Sequence, residues 1–586
     1  MTAIRRSNSR SRWLAPLLVL FAGVIAYSNS LHGPFIFDDN LAIVDNPQIR
    51  SLIPNRFSPP GPTTLSGRPV LVFSVATDYA LAGLNVEIYH LTNLVIHISS
   101  ALLLYVTIRR SLLSPIWQDR FIRSAPWLAA AAAALWAVHP LGTQAVTYVV
   151  QRAESLASLF FLVSLYCLIR SAGSSPRWWP AGAVLACGLG MATKETVAAA
   201  PIIALLYDRT FLAGSFKQAL KLRWKIYVAM AITWTFILRA FLIDRREGTA
   251  GFQAWASPVQ YAATQLNVIA HYLHLALWPT NLSLDYYDWP IVRKPAEITW
   301  QGWVVAATII ATILALKWKP QLGFLGAWFF LILAPTSSLI PINHEAAAEQ
   351  RMYLPLAAVI CLAVVGGWMP IERHRIVRWL GIIAACCAAV GLTDLTLARN
   401  QQYSSPVSIW TDTVAKRPND SRARYGLGLE WMKISLRYPF GSQQAQSAAL
   451  QAKDQFQIIA AHDPEFPQNL ISVGQSIDRS GDSAAAEDFY SAQLPNHASI
   501  AAELLIERGI LRARRQDWTD AKADYLAAVN ANPNIADPHY FLGVLYQQLN
   551  DFNAAEHEFA HTLAIDPNYK DAAARLQTVT RMAKGY

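Results

Sequence analysis

Two adjacent carboxylates, Asp38 and Asp39, follow the first long apolar segment of the sequence, in the stretch Phe-Ile-Phe-Asp-Asp-Asn. A low-dielectric boundary and a neighbouring like charge both disfavour ionisation. The pattern therefore predicts that one of the two has a raised pKa suited to a general base. The alternative is that the pair forms a solvated turn or a helix cap. This dipeptide is the first candidate for proton transfer.

Several basic residues flank apolar segments and are candidates for holding a phosphate, because a guanidinium binds a phosphate bidentately. The alternative is that they anchor the chain at a membrane interface, with their charged ends directed toward water. Lys194, followed by Glu195, also interrupts an apolar stretch, as a charge pair or as part of a substrate pathway. The candidates are Arg68, Arg152, Lys194 and Arg351, with Glu349 as a carboxylate that orients one of them.

Three polar residues at positions i, i+3 and i+7, His90, Asn93 and His97, share one face of a predicted helix. Hydrogen bonding to neighbouring helices is expected there rather than metal ligation. The sequence has no zinc-ligand spacing, no Gly-rich phosphate loop and no HExxH motif. Dependence on a divalent metal stays open, because the two carboxylates could serve a cation or act without one.

The composition indicates which elements must position these groups. Only 15% of the 586 residues are charged, against about 25% in soluble globular proteins. Residues 1–400 carry 32 basic and 18 acidic side chains, whereas 401–586 carry 17 and 21. We therefore predict a basic membrane domain over 1–400 and an acidic soluble domain over 401–586.

A helix needs about 20 mostly apolar residues to cross a bilayer, and about eleven segments approach that length. Excess Lys and Arg on cytoplasmic loops, including Arg5 and Arg6, place the N-terminus inside, and loops 30–89 and 342–352 and the C-terminal domain outside. The predicted spans are 13–29, 90–108, 126–139, 145–170, 179–207, 226–243, 259–279, 302–316, 321–341, 353–369 and 377–397.

The acidic domain contains internal repeats at an offset of 34 residues. Gly509, Ala521, Tyr525 and Pro533 recur as Gly543, Ala555, Phe559 and Pro567. Small residues that let two helices approach, an aromatic that fills the gap and a proline that ends the second helix are the tetratricopeptide pattern. Two degenerate copies precede these, one of them ending at Pro464. We predict about four repeats stacked as an α-solenoid.

In their order along the chain, these segments resemble the transmembrane and tetratricopeptide repeat-containing mannosyltransferase-like family. The resemblance covers nearly the whole chain and depends on the ordered set. Its segments are Phe-Asp38-Asp39-Asn, Arg68-Pro69, His90-Leu-Thr-Asn93-Leu-Val-Ile-His97, Ala-Val-His139-Pro140, Gln151-Arg152, Lys194-Glu195 and Arg351-Met-Tyr353-Leu-Pro355, followed by the repeats.

The resemblance implies an all-α, polytopic GT-C fold and transfer of a sugar from a polyprenyl phosphate to a hydroxyl of a protein acceptor on the non-cytoplasmic face. It gives the role of catalytic base to Asp38 or Asp39, with Asp38 favoured, and adds His139 and Gln144 to the candidate site. The chain departs from the family pattern at Gln144, where Glu is common, and at Gln350, where Arg is frequent.

We expect a multi-pass protein of a bacterial inner membrane, with the repeats in the periplasm binding a protein acceptor or partner. No nucleic-acid partner is expected, because the basic charge belongs to cytoplasmic loops. Two alternatives remain at this stage. One is an inactive membrane-anchored scaffold whose repeats assemble an envelope or secretion complex, and the other is a GT-C enzyme that acts on a glycan or a lipid.

Overall fold

A computed structural model describes residues 9–52, 63–173, 178–242, 256–338, 340–342, 345–463 and 468–584. Over these ranges the chain consists of helices and loops, without a β-strand, which confirms the all-α prediction there. The described residues do not include Arg5, Arg6 and Pro464. The chain divides into two compact units, Met1–Arg417 and Pro418–Tyr586.

The first unit contains seventeen α-helices in its described part. Helix α1 packs against α3, α4 and α16, and α6 packs against α3 and α7. Their bounds are α1 Ser9–Ala26, α2 Pro69–Ala82, α3 Val86–Leu112, α4 Ala125–Ala137, α5 Thr143–Val146, α6 Arg152–Ser171, α7 Trp179–Met191, α8 Ala200–Tyr207, α9 Phe216–Ile232, α10 Trp234–Leu242, α11 Pro258–Leu277, α12 Trp300–Trp318, α13 Pro320–Leu333, α14 Leu356–Cys361, α15 Gly367–Ile371, α16 Arg375–Gln402 and α17 Pro406–Lys416. The predicted division after residue 400 thus precedes the observed one by one helix, α17.

Each of the eleven predicted spans contains helix, but in the described part only four helical segments are long and apolar enough to cross a membrane. These are Val86–Leu112, Val149–Ser171, Trp300–Trp318 and Arg375–Gln402. The others are shorter, interrupted or, like the 20-residue α11, less apolar. The predicted span 179–207 is not one helix. Helix α7 ends at Met191, Lys194 has an extended backbone, and a short 3₁₀ turn follows before α8. Apolar composition alone does not locate such a break.

The second unit is built from antiparallel helix pairs. In each of four pairs, a glycine of the first helix lies against an aromatic ring of the second, and a Cβ at that glycine would overlap the ring. The packing partners are Gly428 and Phe456, Gly474 and Tyr490, Gly509 and Tyr525, and Gly543 and Phe559. This is the helix packing that the tetratricopeptide pattern predicts.

The helix bounds of the second unit follow the repeat pattern. Pro533 and Pro567 each lie two residues after the last residue of a helix, where proline cannot continue the helix. The bounds are α18 Ser421–Leu436, α19 Gln443–His462, α20 Gln468–Arg479, α21 Ser483–Gln493, α22 Ala501–Arg514, α23 Trp518–Ala531, α24 Ala536–Gln548, α25 Phe552–Ile565 and α26 Ala572–Ala583.

Candidate active site

Asp39 is fully buried and holds loop 35–40 in place. Its Oδ2 accepts a hydrogen bond from the backbone N–H of Ile36 at 3.0 Å, and its Oδ1 accepts one from the backbone N–H of Val150 at 2.8 Å. Burial, with a smaller contribution from the charge of Asp38, raises the pKa of Asp39 to about 8, although the two backbone donors oppose the shift. These contacts support a positioning role for Asp39.

Asp38 has a different environment, although it is the adjacent residue. Its side chain is partly exposed, and its Oδ2 accepts a hydrogen bond from the Thr64 hydroxyl at 3.4 Å. Its backbone N–H donates to the Tyr148 hydroxyl at 2.9 Å. Phe37, just before it, has φ +44°, a region that bulky side chains rarely adopt. Strain of this kind is concentrated at functional sites, and here it lies directly beside the partly exposed carboxylate of Asp38.

Arg68 is connected to Asp38 through Thr64. Its Nη1 donates to the backbone carbonyl of Thr64 at 2.9 Å, and its Nη2 lies 3.2 Å from both carboxylate oxygens of Glu195. Both charged side chains are partly exposed. We call Asp38, Thr64, Arg68 and Glu195 the Asp38 cluster. The structure therefore brings together two of the predicted site residues, Asp38 and Arg68.

Lys194 lies next to this cluster, at the break between α7 and α8. Its Nζ forms an ion pair with Glu154 Oε2 at 2.7 Å, and both side chains are almost completely buried. Glu154 belongs to the first turn of α6. The pair therefore links the broken segment to α6, beside the residue that pairs with Arg68.

Arg152, predicted to bind a phosphate, is fully buried and its guanidinium is surrounded by protein partners. Its Nη2 pairs with Asp78 Oδ2 at 2.5 Å, its Nε donates to Asn93 Oδ1 at 2.5 Å, and its Nη1 donates to Ser74 Oγ at 3.1 Å. All three nitrogens are therefore used within the protein. These contacts support a structural role for Arg152, which joins α2, α3 and α6.

Arg351 is also buried, in the segment before α14. Its Nη1 donates to the carbonyls of Thr336 at 3.3 Å and Ala346 at 3.0 Å, and its Nη2 donates to the carbonyl of Glu345 at 2.8 Å. Carbonyl oxygens thus occupy the two terminal nitrogens. The contacts support a role in holding the loop before α14.

Glu349 and Gln144 join this loop to the segment after α11. Glu349 Oε1 accepts hydrogen bonds from the Ser283 backbone N–H at 2.5 Å and the Tyr286 hydroxyl at 2.6 Å. Gln144 Nε2 donates to the carbonyl of Leu284 at 2.9 Å. Glu349 is fully buried, and burial raises its pKa. Neither residue contacts Arg351 through these bonds, so the predicted orienting role of Glu349 lacks support from them.

The predicted polar face of α3 makes hydrogen bonds to other elements. His90, Asn93, His97 and also His139, after α4, each use a side-chain nitrogen to contact a backbone carbonyl. The partners are Gly33 for His90, Val146 for Asn93, Ala137 for His97 and Ala276 for His139. Over the described ranges, no group of three His, Cys, Asp or Glu residues is arranged to hold a metal ion.

Sequence reasoning missed Thr64, Asp78 and Tyr148. Asp78 had a usable signal, because it is the only charged residue in the apolar stretch 69–82, and an isolated charge in such a stretch predicts a buried partner. Thr64 and Tyr148 had no such signal in the sequence, since their roles depend on contacts with residues far away in the sequence.

No model of a protein family matches the sequence. Similar curated proteins are protein O-mannosyl-transferases. The chain is 24% identical to Protein O-mannosyl-transferase TMTC3 of Homo sapiens, over 94% of this chain and 64% of that protein. It is 24% identical to Protein O-mannosyl-transferase F38B6.6 of Caenorhabditis elegans, over 72% of this chain and 61% of that protein. A shorter match, 31% identical, covers 33% of this chain and 22% of Protein O-mannosyl-transferase TMTC1 of Mus musculus.

These homologues confirm the resemblance that the ordered motifs indicate. The chain spans less than two thirds of the length of these relatives. Among solved structures, the crystal structure of the APC/C hetero-tetramer Cut9-Hcn1 aligns over 88% of this chain and 90% of that chain, at 12% identity and a TM-score of 0.24. At that score we draw nothing from the alignment.

Proposed function

We propose that this chain is a membrane protein O-glycosyltransferase that transfers a sugar from a polyprenyl phosphate to a hydroxyl of a protein acceptor. The observation that carries the proposal is the position of Asp38, a partly exposed carboxylate in a strained loop beside Arg68. Similarity to protein O-mannosyl-transferases over 94% of the chain supports the reaction class, with mannose as one candidate sugar.

In the proposed reaction, the acceptor oxygen attacks the anomeric carbon of the sugar and forms the new glycosidic bond. The bond between that carbon and the phosphate oxygen breaks, and its electron pair leaves with the lipid phosphate. The acceptor proton moves to the Asp38 carboxylate, which acts as general base. Asp39 contributes indirectly, because its two backbone hydrogen bonds fix the loop that carries Asp38.

Charge develops on the phosphate as it leaves, and positive side chains at fixed positions stabilise that charge. Within the proposed site, Arg68 is linked to Asp38 through Thr64, and Lys194 adjoins Glu195, the partner of Arg68, in the sequence. Their carboxylate partners, Glu195 and Glu154, hold them in place. Arg68, which is partly exposed, is favoured over the buried Arg152 and Arg351 for this role.

The proposal includes a GT-C arrangement of about eleven membrane segments, with Asp38 and the repeat unit on the non-cytoplasmic side. In a bacterial inner membrane that side is the periplasm. Exposed apolar side chains along α12 and α16 fit contact with lipid. In this arrangement the helix pairs of the second unit recruit the protein acceptor.

The test compares glycoproteins by mass spectrometry in the native host carrying wild type, Asp38→Asn, or a null allele. Asp45→Asn is the matched control, because Asp45 is an exposed carboxylate a few residues further along the chain. We expect wild type and Asp45→Asn to restore glycopeptides that the null strain lacks, and Asp38→Asn to fail at equal protein level. Full glycosylation with Asp38→Asn would refute the role of the base, and an unchanged glycoproteome in the null strain would refute the transferase.

A further inference from the structure

Arg399 is a buried arginine in the last turn of α16. It is 4% exposed, and its Nη1 donates to Asp412 Oδ2 at 2.7 Å and to Gln402 Oε1 at 2.5 Å. Its Nε and Nη2 are buried; the Tyr403 side chain, one turn further along the helix, lies beside the guanidinium, but neither nitrogen reaches an acceptor with full hydrogen-bond geometry in the described part of the chain. A buried donor without a partner costs about 1–3 kcal/mol, so this pair of donors needs a partner from elsewhere.

The geometry of the guanidinium restricts which groups fit this edge. Nε and Nη2 lie on the same edge of the planar group, and their two N–H bonds point in parallel. That edge fits two oxygens of one phosphate or carboxylate group, the bidentate geometry for which arginine is used in phosphate recognition. Arg152 differs in this respect, because its Nε and Nη2 already contact Asn93 and Asp78.

The surroundings of Arg399 add a second cation and an acid with an open oxygen. Lys416 Nζ contacts Asp412 Oδ2 and the carbonyl of Leu282, both at 2.8 Å, which leaves its third proton available. Glu349 interacts electrostatically with both Arg399 and Lys416, and its buried Oε2 has no hydrogen-bond partner in the described part of the chain. Burial raises the pKa of Glu349, whereas the charges of Arg399 and Lys416 oppose that shift.

This cluster of Arg399, Lys416 and Glu349 lies next to the loop of Asp38. The ring of Phe37, the residue before Asp38, packs edge-on against Trp410, with ring centroids 5.1 Å apart. Trp410 is buried on α17, two residues before Asp412, the anchor of Arg399. Helix α17 therefore carries both Asp412, which pairs with Arg399, and Trp410, which packs against the loop of Asp38.

We propose that the open edge of Arg399 binds the phosphate group of a ligand, with Lys416 as a second cation. The inference adds a binding residue to the proposed function. It depends on that proposed function for the choice of a polyprenyl phosphate as the ligand. Dissolved phosphate offers the same oxyanion, so the experiment has one arm for each source.

The experiment measures binding to the purified full chain in detergent, with undecaprenyl phosphate and inorganic phosphate as separate probes. Thermal shift gives the binding curves, so each variant is compared with its own ligand-free midpoint. Arg399→Lys keeps the charge but removes the bidentate edge, and we expect at least about tenfold weaker binding. Arg120→Lys is the control, because Arg120 pairs with Glu372 at a more exposed position, and its binding should equal that of wild type.

Lys416→Gln provides a second test at a more exposed residue if Arg399→Lys does not fold, with binding weakened about threefold or more. Binding of undecaprenyl phosphate supports the full inference, whereas binding of inorganic phosphate alone supports the site and overturns the lipid carrier. The inference is overturned if wild type binds neither probe, or if Arg399→Lys and Lys416→Gln both bind as wild type does. Asp38→Asn should bind undecaprenyl phosphate as wild type does. If this variant still transferred sugar, the role of Asp38 as general base would be refuted, but the proposed phosphate site at Arg399 would not.

Discussion

Asp39 Oδ1 accepts a hydrogen bond from the backbone N–H of Val150 at 2.8 Å, which ties loop 35–40 to the residues just before α6. The two residues are far apart in the sequence. The bond therefore places Asp38 beside Tyr148, whose hydroxyl accepts from the Asp38 backbone N–H. Two neighbouring carboxylates thus have different environments, since Asp39 is buried and fixes the loop whereas Asp38 is partly exposed.

Asp39→Asn is expected to destabilise the protein by about 1–3 kcal/mol, because the amide presents only one acceptor oxygen to two buried backbone donors. Thermal unfolding of the full chain in detergent measures the loss. Asp45→Asn is the control, since Asp45 is exposed, and it should unfold at the wild-type temperature. An Asp39→Asn variant as stable as wild type would contradict the positioning role.

The stability of the wild type should fall as pH rises from about 4 to about 8. Burial raises the pKa of Asp39 to about 8 in the folded protein, whereas an unfolded aspartate titrates near 3.9. Between these values the folded state binds more protons than the unfolded state, so each increase in pH favours unfolding. Unfolding midpoints measured at intervals from pH 4.5 to 8.5 test this.

The pH dependence has its own control in Asp39→Asn. This variant lacks the titrating carboxyl, so its midpoints should fall less steeply than those of wild type over the same interval. Equal slopes for the two proteins would show that another group causes the dependence.

Asp78→Asn should destabilise the protein by about 3–5 kcal/mol, because it leaves the buried charge of Arg152 without its partner. Glu372→Gln, which breaks the more exposed pair with Arg120, should cost about 0–1 kcal/mol. Unfolding midpoints and purification yields of the two variants give the comparison. A stable Asp78→Asn protein with weaker donor binding would instead support the phosphate role first predicted for Arg152.

Gly543→Val should destabilise the second unit by about 1–3 kcal/mol, because the added side chain overlaps the ring of Phe559. Hydrogen exchange should increase in α24, α25 and α26 and stay unchanged in α3 and α6. Gln548→Val, at an exposed position of the same helix, should leave the exchange pattern as in wild type. Unaltered exchange in Gly543→Val would contradict the close packing of that helix pair.

The parts of the fold that depend on local pattern could be predicted from the sequence. Each apolar segment contains helix, and Gly543 and Phe559 pack as their repeat spacing indicates. Helix length was harder to predict, because α7 ends at Met191, shortly before Lys194, whose partner Glu154 lies in another helix.

The same limit applies to the candidate site. Asp38 and Arg68 were recognisable as polar residues outside apolar segments, and the structure brings them together through Thr64. Whether an arginine is available to a ligand depends on its other contacts. Arg152 has Asp78 and Asn93 as partners, whereas Arg399 keeps one edge open, and no sequence pattern distinguishes the two.

The break between α7 and α8 also constrains how the protein is made. The two helices have 13 and 8 residues, each shorter than the bilayer core requires, and a charged lysine lies between them. An unpaired lysine costs about 2.5–3.5 kcal/mol at the centre of an inserting helix, whereas Lys194 is paired with Glu154 of α6 in the folded protein. We therefore expect the segment 179–207 to leave the translocon only after α6 has done so, which makes the order of synthesis part of the folding route.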